Sequence, residues 1–203
     1  MRVIKKLVKH DKKTELVSET FDECLMILNP YFLSRIDFSL EFKDKLDLIF
    51  SNACLSLNYN NPFIQNKDKK AIRILILQKL LCLIFRRGYK SMPELIEEVV
   101  INREIIRKGY GNDLFYYYYL FLLEYETHII NTMDIFLKVN VPWLSFSGLD
   151  DYYADFFKEM VNRFKQKKEF EVKTKELFLA LEKNLLKNEN LDKAIAIYNQ
   201  LGV

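Results

Sequence analysis

The sequence predicts an all-α fold, a compact bundle of about seven or eight helices, and three observations support this prediction. In most segments, apolar residues recur at the three- and four-residue spacing of a helix. No alternating strand pattern of convincing length is present. The 203 residues include only 5 glycines and 4 prolines, few for the turns of a many-stranded sheet. Because composition does not shift along the chain, residues 1–203 are predicted to form a single domain, with 170–203 as a possible C-terminal hairpin appendage.

The first 62 residues are predicted to contain two helices between shorter segments. Val3–Val8 places apolar side chains on one face with lysines opposite, which suits a short amphipathic helix or a strand. A helix over Ser18–Leu28 is predicted to stop at Asn29-Pro30, because the residue before a proline disfavours helical geometry. A second helix is predicted over Ser39–Leu57, where apolar residues recur at helical spacing. Residues 58–62 are predicted to form an exposed loop.

Two strongly apolar helices, Ile72–Phe85 and Leu114–Phe136, are predicted to be the central ones. The first is part of a longer helix that ends at Gly88. Leu81 of the first helix and Leu120 of the second are predicted to lie in the core. The second opens with the sequence LFYYYYLFLL. Successive residues of a helix turn through about 100°, so five consecutive aromatic residues cover its whole circumference. Such an element is either buried in its own domain or pressed against a partner.

Capping signals delimit the helices around these two. Ser91-Met92-Pro93-Glu94 matches a capping box, and the helix that it opens is predicted to end at Gly109. The aromatic helix is predicted to continue to Val141-Pro142, where the proline stops it. Trp143–Ser147 is predicted to be a loop, and the motif Ser147-x-x-Asp150 is predicted to open the next helix.

Two shorter helices, about Thr174–Lys187 and Leu191–Leu201, are predicted to complete the chain. Within residues 180–201, Ala194 holds a small-residue position after the turn and Tyr198 a large one. This pattern resembles the middle of a tetratricopeptide repeat, in which a small residue lets two antiparallel helices approach closely. The resemblance implies a helical hairpin at this end of the chain. The repeat period does not extend upstream, so a stacked array is not indicated.

The cysteines and the hydropathy pattern predict a cytoplasmic protein. Cys24, Cys54 and Cys82 are odd in number, show no CxxC spacing and each lie among apolar residues, which is typical of reduced, buried thiols. The basic start MRVIKKLVKH lacks the apolar stretch of a signal peptide. No window reaches the ~18 apolar residues of a membrane span.

The motif survey argues against an enzyme. The chain has no GxxxxGK[ST] or GxGxxG segment, and with only two histidines it cannot contain HExxH. No metal site and no cofactor are therefore predicted. Glu124 and His128 are spaced four residues apart on the predicted helix, so a carboxylate could orient an imidazole as a general base. The same spacing also fits a structural pair at the end of the aromatic core.

The missing motifs and the aromatic content of 14% favour a non-enzymatic protein-binding module, such as a small cytoplasmic regulator, adaptor or immunity-type protein. Tyrosine and tryptophan are the usual anchors of protein interfaces. Homodimerisation through the aromatic helix is one form of this hypothesis. The candidate partner-binding residues lie in loops, at helix starts or on the aromatic helix: Tyr59, Tyr110, Tyr116, Tyr119, Trp143, Tyr152 and Tyr153.

The alternative function is a helical nucleic-acid-binding regulator that would place basic clusters on phosphates. The net charge of +3 is modest, and no convincing helix-turn-helix pattern is present. The clusters also fit solvated helix faces and helix C-termini. The candidate residues for this alternative are Arg86, Arg87, Lys90, Arg103, Arg107 and Lys108.

Overall fold

Helices dominate the structure, a computed structural model of the chain, and the predicted all-α fold of about seven or eight helices is confirmed: the described residues include eight helices of more than ten residues, one four-residue helix and a few short strands. The structure describes residues 3–6, 11–28, 38–43, 50–51, 54–88, 92–126, 128–183 and 190–201, in places by the backbone alone. The chain forms two compact units, residues 1–89 and residues 90–203. The single domain over residues 1–203 stays a prediction.

The first unit combines a small sheet with helices. Its elements are β1 (Val3–Lys6), α1 (Lys12–Ile27), β2 (Phe38–Lys43), β3 (Phe50–Ser51), β4 (Cys54–Asn58), α2 (Pro62–Gln65) and α3 (Lys69–Gly88). The strand order is β1-β2-β4-β3. β1 pairs with β2 in parallel, β2 pairs with β4 in parallel, and β3 pairs with β4 antiparallel. Because α1 connects the parallel strands β1 and β2, these three elements form a βαβ unit.

The helix predicted over Ser39–Leu57 is wrong, because this segment contributes three strands to the sheet. The sequence FSLEFK of β2 does alternate between apolar and polar residues, and Leu55 and Leu57 of β4 do so around Ser56. The strands are only six, two and five residues long. By coincidence, apolar residues from these successive short strands are spaced as they would be in a helix. The helical spacing over the whole segment therefore outweighed the alternation within each strand. Val3–Lys6 is a strand, which is one of the two alternatives predicted for this segment.

Helix α1 begins at Lys12, six residues before the predicted start at Ser18, because Asp11 caps it. The Asp11 carboxylate accepts the N–H groups of Lys13 at 2.9 Å and of Thr14 at 3.0 Å. The Thr14 hydroxyl in turn accepts the N–H of Asp11 at 3.1 Å, which completes a capping box. Lys5 donates to the Asp22 carboxylate at 2.6 Å and so joins strand β1 to helix α1.

Helix α3 provides half of the buried hydrophobic residues described in the first unit and packs against α1. Leu81 is buried, as predicted, whereas Leu120 of the second unit, which was also predicted to lie in the core, is half-buried. Among the described side chains, Cys24 and Cys82 are free thiols, and the side chain of Cys54 lies outside the described residues. Cys24 is buried and donates to the carbonyl oxygen of Arg73 at 3.7 Å. Burial raises the pKa of this thiol to about 12, which makes it unreactive.

The second unit is a set of helices packed on one another. Its elements are α4 (Glu94–Ile105), a π-helical turn (Ile106–Tyr110), α5 (Gly111–Leu123), β5 (Ile129–Ile130), α6 (Met133–Phe146), α7 (Asp151–Asn162), β6 (Lys165–Gln166), α8 (Lys168–Leu181) and α9 (Leu191–Leu201). α6 packs on α4 and α7. Gly109 has φ 89°, so the predicted helix end at this glycine is confirmed by left-handed geometry. Asp150 caps α7 by accepting the N–H of Tyr153, whereas Ser147, the first residue of the predicted Ser147-x-x-Asp150 start, lies at the C-terminal end of α6.

The continuous helix predicted over Leu114–Phe136 is wrong, since α5 ends at Leu123 and α6 starts separately at Met133. The side chain of Thr132 caps α6, and the short strand β5 lies between the two helices. Glu124 to Glu126 form a turn at the point where the apolar run meets charge.

The predicted stop at Pro142 and the predicted loop Trp143–Ser147 are also wrong, because α6 continues through the proline to Phe146. A proline inside a helix removes one backbone hydrogen bond and costs about 3 kcal/mol. Val141, Leu144 and Phe146 are fully buried around it, and this burial offsets the cost.

The two C-terminal helices are α8 and α9, which contact each other. α9 has the predicted bounds, whereas α8 begins at Lys168 rather than near Thr174. Ala194 is fully buried. The hairpin appendage over 170–203 and the tetratricopeptide resemblance stay predictions. Across the described residues, no helix is long and apolar enough to cross a membrane.

Candidate protein-binding surface

Aromatic rings of α5 and α7 form a continuous cluster that reaches the surface of the second unit. We call Phe115, Tyr119, Tyr152, Tyr153 and Phe156 the aromatic surface. Phe115 stacks on Tyr153 with 4.2 Å between ring centroids and lies 5.1 Å from Phe156. Tyr119 is 6.1 Å from Phe156, and Tyr152 is 5.7 Å from Tyr153. Tyr152 is 77% exposed, Tyr119 37% and Phe156 36%.

The periodicity of the two helices explains which rings point outward. On α7, Ala154, Phe157 and Val161 are buried, while Tyr152 and Phe156, four residues apart, lie on the opposite face. On α5 the buried residues recur every fourth position: Leu114, Tyr118 and Leu122. Tyr119 follows Tyr118 by one residue and is therefore rotated by about 100° towards solvent.

A buried polar network holds α5 in place behind the aromatic surface. The Tyr118 hydroxyl donates to the Glu98 carboxylate at 2.7 Å and accepts from the Asn102 amide at 2.6 Å. Asn102 also donates to the Ser145 hydroxyl at 3.1 Å, so the network joins α4, α5 and α6. Burial, together with the Glu98 charge, raises the pKa of Tyr118 well above its ordinary value. Burial likewise raises the pKa of Tyr117.

Three of the predicted partner-binding residues, Tyr119, Tyr152 and Tyr153, meet on the aromatic surface. Tyr153 is half-buried and donates to the Asn112 side chain at 2.7 Å, so it supports the surface more than it covers it. The sequence interpretation missed Phe156 and Phe115. The four-residue spacing from Tyr152 could have identified Phe156 as a member of the outer face of α7.

The remaining predicted partner-binding residues lie elsewhere. Tyr116 is half-buried on α5, and Tyr110 is half-buried in the π-helical turn. Trp143 lies on α6 rather than in a loop, and its indole N–H donates to the Asn140 side chain at 2.8 Å.

Tyr59 belongs to the first unit and takes part in a local polar network. Its hydroxyl donates to the Asp11 carboxylate, and the Lys13 ammonium lies 5.7 Å from its ring centroid. The bond from Tyr59, followed by the backbone N–H of Thr14, lowers the pKa of Asp11 to about 2. The phenol of Tyr59 is thus already engaged within the first unit.

The basic residues proposed for nucleic acid differ in exposure and in their contacts where their side chains are described. Arg103 is buried, and its guanidinium donates to the carbonyl oxygens of Ser145 at 3.4 Å and Ser147 at 2.8 Å. Lys108 pairs with Glu104 at 3.3 Å, and Arg107 is exposed. The backbone of Arg86 and Arg87 lies in the last turn of α3, but their side chains and all of Lys90 lie outside the described residues.

The predicted pair of Glu124 and His128 is not arranged on one helix, because α5 ends before both residues. The Nδ1–H of His128 donates to the backbone carbonyl oxygen of Glu124 at 2.5 Å, and His128 is exposed. In the part of the chain that the structure describes, no three His, Cys, Asp or Glu side chains are grouped as metal ligands would be.

Comparison of the chain with protein-family models finds no match, and comparisons with curated proteins and with solved structures find none either.

Proposed function

We propose that this chain is a non-enzymatic helical protein-binding module that captures its partner on the aromatic surface. The observation that carries the proposal is the exposure of Tyr152, Tyr119 and Phe156 on two adjacent helices. Single exposed apolar residues are ordinary on protein surfaces, but a contiguous aromatic group is typical of an interaction site. The regulator, adaptor or immunity-type role and the cytoplasmic location belong to this proposal.

The support beneath the aromatic surface favours binding over a loose hydrophobic patch. Phe115 and the fully buried Phe157 lie under the exposed rings, with 5.0 Å between their ring centroids. The bonds of Tyr118 fix α5 against its neighbours. Rigid aromatic side chains lose little conformational entropy on binding, which is why such residues dominate interface energetics.

The partner is a protein with an apolar patch, and a second copy of this chain is one form of that partner. An aromatic anchor costs about 2 kcal/mol or more of binding free energy when it is truncated at the centre of an interface. Tyr152 is the most exposed ring of the surface, so we expect it to be the anchor.

The experiment compares Tyr152→Ala with Val172→Ala in affinity capture from the native cell, read by mass spectrometry. Val172 is 74% exposed on α8 and lies outside the aromatic surface, so it is the matched control. We expect Tyr152→Ala to lose the captured partner at least thirtyfold and Val172→Ala to keep it. Sedimentation of the purified protein identifies the homodimer. Equal capture by both variants, with unchanged sedimentation, would contradict the proposal.

The geometry gives less support to the nucleic-acid alternative. A phosphate-binding surface needs several accessible cations on one face. Arg103 donates to backbone carbonyls inside the second unit, and Lys108 has Glu104 beside it. Sequence-dependent duplex binding that survives 200 mM salt, and is lost on charge reversal of Arg86 and Arg87, would make this alternative the better one.

A further inference from the structure

The outer face of α7 carries carboxylates as well as aromatic rings. Four exposed residues lie at positions i, i+3, i+4 and i+7, which form one face of a helix: Tyr152, Asp155, Phe156 and Glu159. Rings and carboxylates therefore alternate along this face. A partner that covers the aromatic surface must also contact the two charges.

Few cations accompany these acids. Residues 111–126, which include α5 and the exposed Glu124 and Glu126, contain no lysine or arginine. The single cation of α7 is Lys158, whose ammonium lies beside the Trp143 ring, 5.5 Å from its centroid. The chain as a whole has a net charge of +3. The acidic character is thus specific to the segments that form the aromatic surface.

The two carboxylates of the outer face of α7 differ in their contacts. Glu159 forms an ion pair with Arg163 at 3.2 Å, and the two side chains are 73% and 74% exposed. The described residues place neither a hydrogen-bond donor nor a cation against the Asp155 carboxylate. An exposed ion pair such as that of Glu159 contributes little stability and exchanges readily. Both carboxylates can therefore accept hydrogen bonds from a partner.

Among protein side chains, arginine matches this arrangement best. Its planar guanidinium stacks on aromatic rings and donates two parallel hydrogen bonds to a carboxylate. Tyr152 and Asp155 are neighbours on the helix surface, so one arginine can contact the ring and the carboxylate together. Lysine offers a point charge without the planar surface, so we expect it to bind less tightly.

The same charges disfavour other occupants of the aromatic surface. Nucleic acids and anionic membranes present negative charge, which carboxylates repel. In a two-fold symmetric homodimer the same patch meets its own copy. Asp155 and Glu159 would then face like charges, which is unfavourable at an interface.

We propose that the partner of the aromatic surface is a basic protein segment that presents an arginine to Tyr152 and Asp155. Apolar side chains next to that arginine would cover Phe156 and Tyr119. This inference rests on the proposed function, because it names the chemistry of the partner that the aromatic surface captures.

Isothermal titration calorimetry of the full chain with three peptides tests the charge. Each peptide is acetylated and amidated, and each alternates leucine with one other residue: arginine, lysine, or citrulline, the uncharged analogue of arginine. We expect the arginine peptide to bind about tenfold more tightly than the citrulline peptide, the effect of lost charge-assisted bonds, with the lysine peptide between them. This advantage should shrink between about 50 and about 500 mM salt, because salt screens surface charges.

Two variants assign the contacts at low salt. Asp155→Asn should weaken the arginine peptide about three- to fivefold and leave the citrulline peptide unchanged. Tyr152→Leu keeps an apolar side chain but removes the ring, and it should weaken the arginine peptide about three- to fivefold. Glu176→Gln removes an exposed carboxylate on α8, away from the outer face of α7, and as the matched control it should alter neither peptide.

Equal binding of the arginine and citrulline peptides, or binding of neither, would overturn this inference. Binding of the arginine peptide that neither Asp155→Asn nor Tyr152→Leu weakens would overturn it too, as would a homodimer that Tyr152→Ala dissociates. The proposed function is decided separately by partner capture. Loss of the captured partner in Tyr152→Ala, together with equal binding of the two peptides, would leave the proposed function standing and remove only this inference. Equal capture by Tyr152→Ala and Val172→Ala would contradict the proposed function itself.

Discussion

The two helices predicted to be central, α3 in the first unit and α5 in the second, bury their residues in different ways. α3 is aliphatic, and its buried residues surround it almost completely: Ala71, Ile72, Ile74, Leu75, Ile76, Leu77, Leu80 and Leu81. α5 is aromatic and more apolar in sequence than α3, yet its buried apolar residues form a single stripe, four residues apart. Tyr119 and Leu123, on the other side of α5, are each 37% exposed.

This difference shows that apolar residues on all sides of a helix do not determine how deeply the helix is buried. Aliphatic side chains have no polar atom, so burying them on most sides of a helix, as in α3, leaves none of their atoms unsatisfied. Each tyrosine of α5 carries a hydroxyl that needs a partner or water. Tyr118 finds partners inside, while Tyr119 remains at the surface.

The largest expected change in the free energy of unfolding comes from truncating one leucine on each helix, which tests the comparison of α3 with α5. Leu81→Ala on α3 should lower the free energy of unfolding by about 2–5 kcal/mol, because it leaves a cavity in a packed interior. Leu123→Ala on α5 should cost less than about 1 kcal/mol, since that side chain already contacts water. Urea denaturation measures both. Similar costs for the two variants would mean that α5 is as deeply buried as α3.

A smaller change in stability is expected when hydroxyl groups are removed from two neighbouring tyrosines of α5. Tyr118→Phe removes the hydroxyl that bonds Glu98 and Asn102, so we expect a loss of about 1–3 kcal/mol in stability. Tyr119→Phe is the matched control and should change the stability by no more than about 0.5 kcal/mol. Urea midpoints at constant m-value give both numbers. A Tyr118→Phe variant as stable as its control would show that the buried network contributes nothing to the position of α5.

The smallest expected effect extends the comparison to the tyrosine of the first unit, Tyr59. The pKa of Asp11 is lowered from 3.8 to about 2, so the ionised carboxylate favours the folded state. This contribution is present above pH 3.8 and is lost as the pH falls towards 2. Tyr59→Phe removes the largest cause of the shift. We therefore expect the variant to be slightly less stable than the unchanged protein above pH 4, and the difference to disappear near pH 2.

Titration of Asp11 by NMR gives an independent reading of the same contact. In Tyr59→Phe its pKa should rise towards 3.8. An unchanged Asp11 pKa in the variant would assign the shift to the backbone N–H groups of Thr14 and Lys13 instead.

The sequence predicted the elements whose signals are local. The burial of Leu81 follows from the long aliphatic run in which it lies. The helix that ends at Gly109 does so because glycine readily adopts left-handed geometry. The start of α9 follows from the polar residues that precede Leu191. The sheet was missed because its strands are stabilised by pairing between distant segments, such as Val3 with Phe38. Pairing between strands that are distant in sequence produces no local sequence pattern in either strand.

The candidate surface was predictable in its residues but not in its arrangement. Tyr119, Tyr152 and Tyr153 were identified from residue type, yet nothing in their spacing places α5 beside α7. The break after Leu123 and the passage of α6 through Pro142 depend on what each segment packs against. Tertiary packing overrode the local preference in both cases.

The short parallel pair of β5 and β6 has a consequence for how the second unit opens. Ile129 and Ile130 pair with Lys165 and Gln166, and the chain between them contains α6 and α7. Ile130 is fully buried, so its amide cannot exchange with solvent until the pair separates. When the two strands separate, the chain between them becomes a long open loop. Pairing the strands again costs the entropy of closing that loop. Hydrogen exchange should therefore show the Ile130 amide protected together with those of α6 and α7, as one cooperative unit.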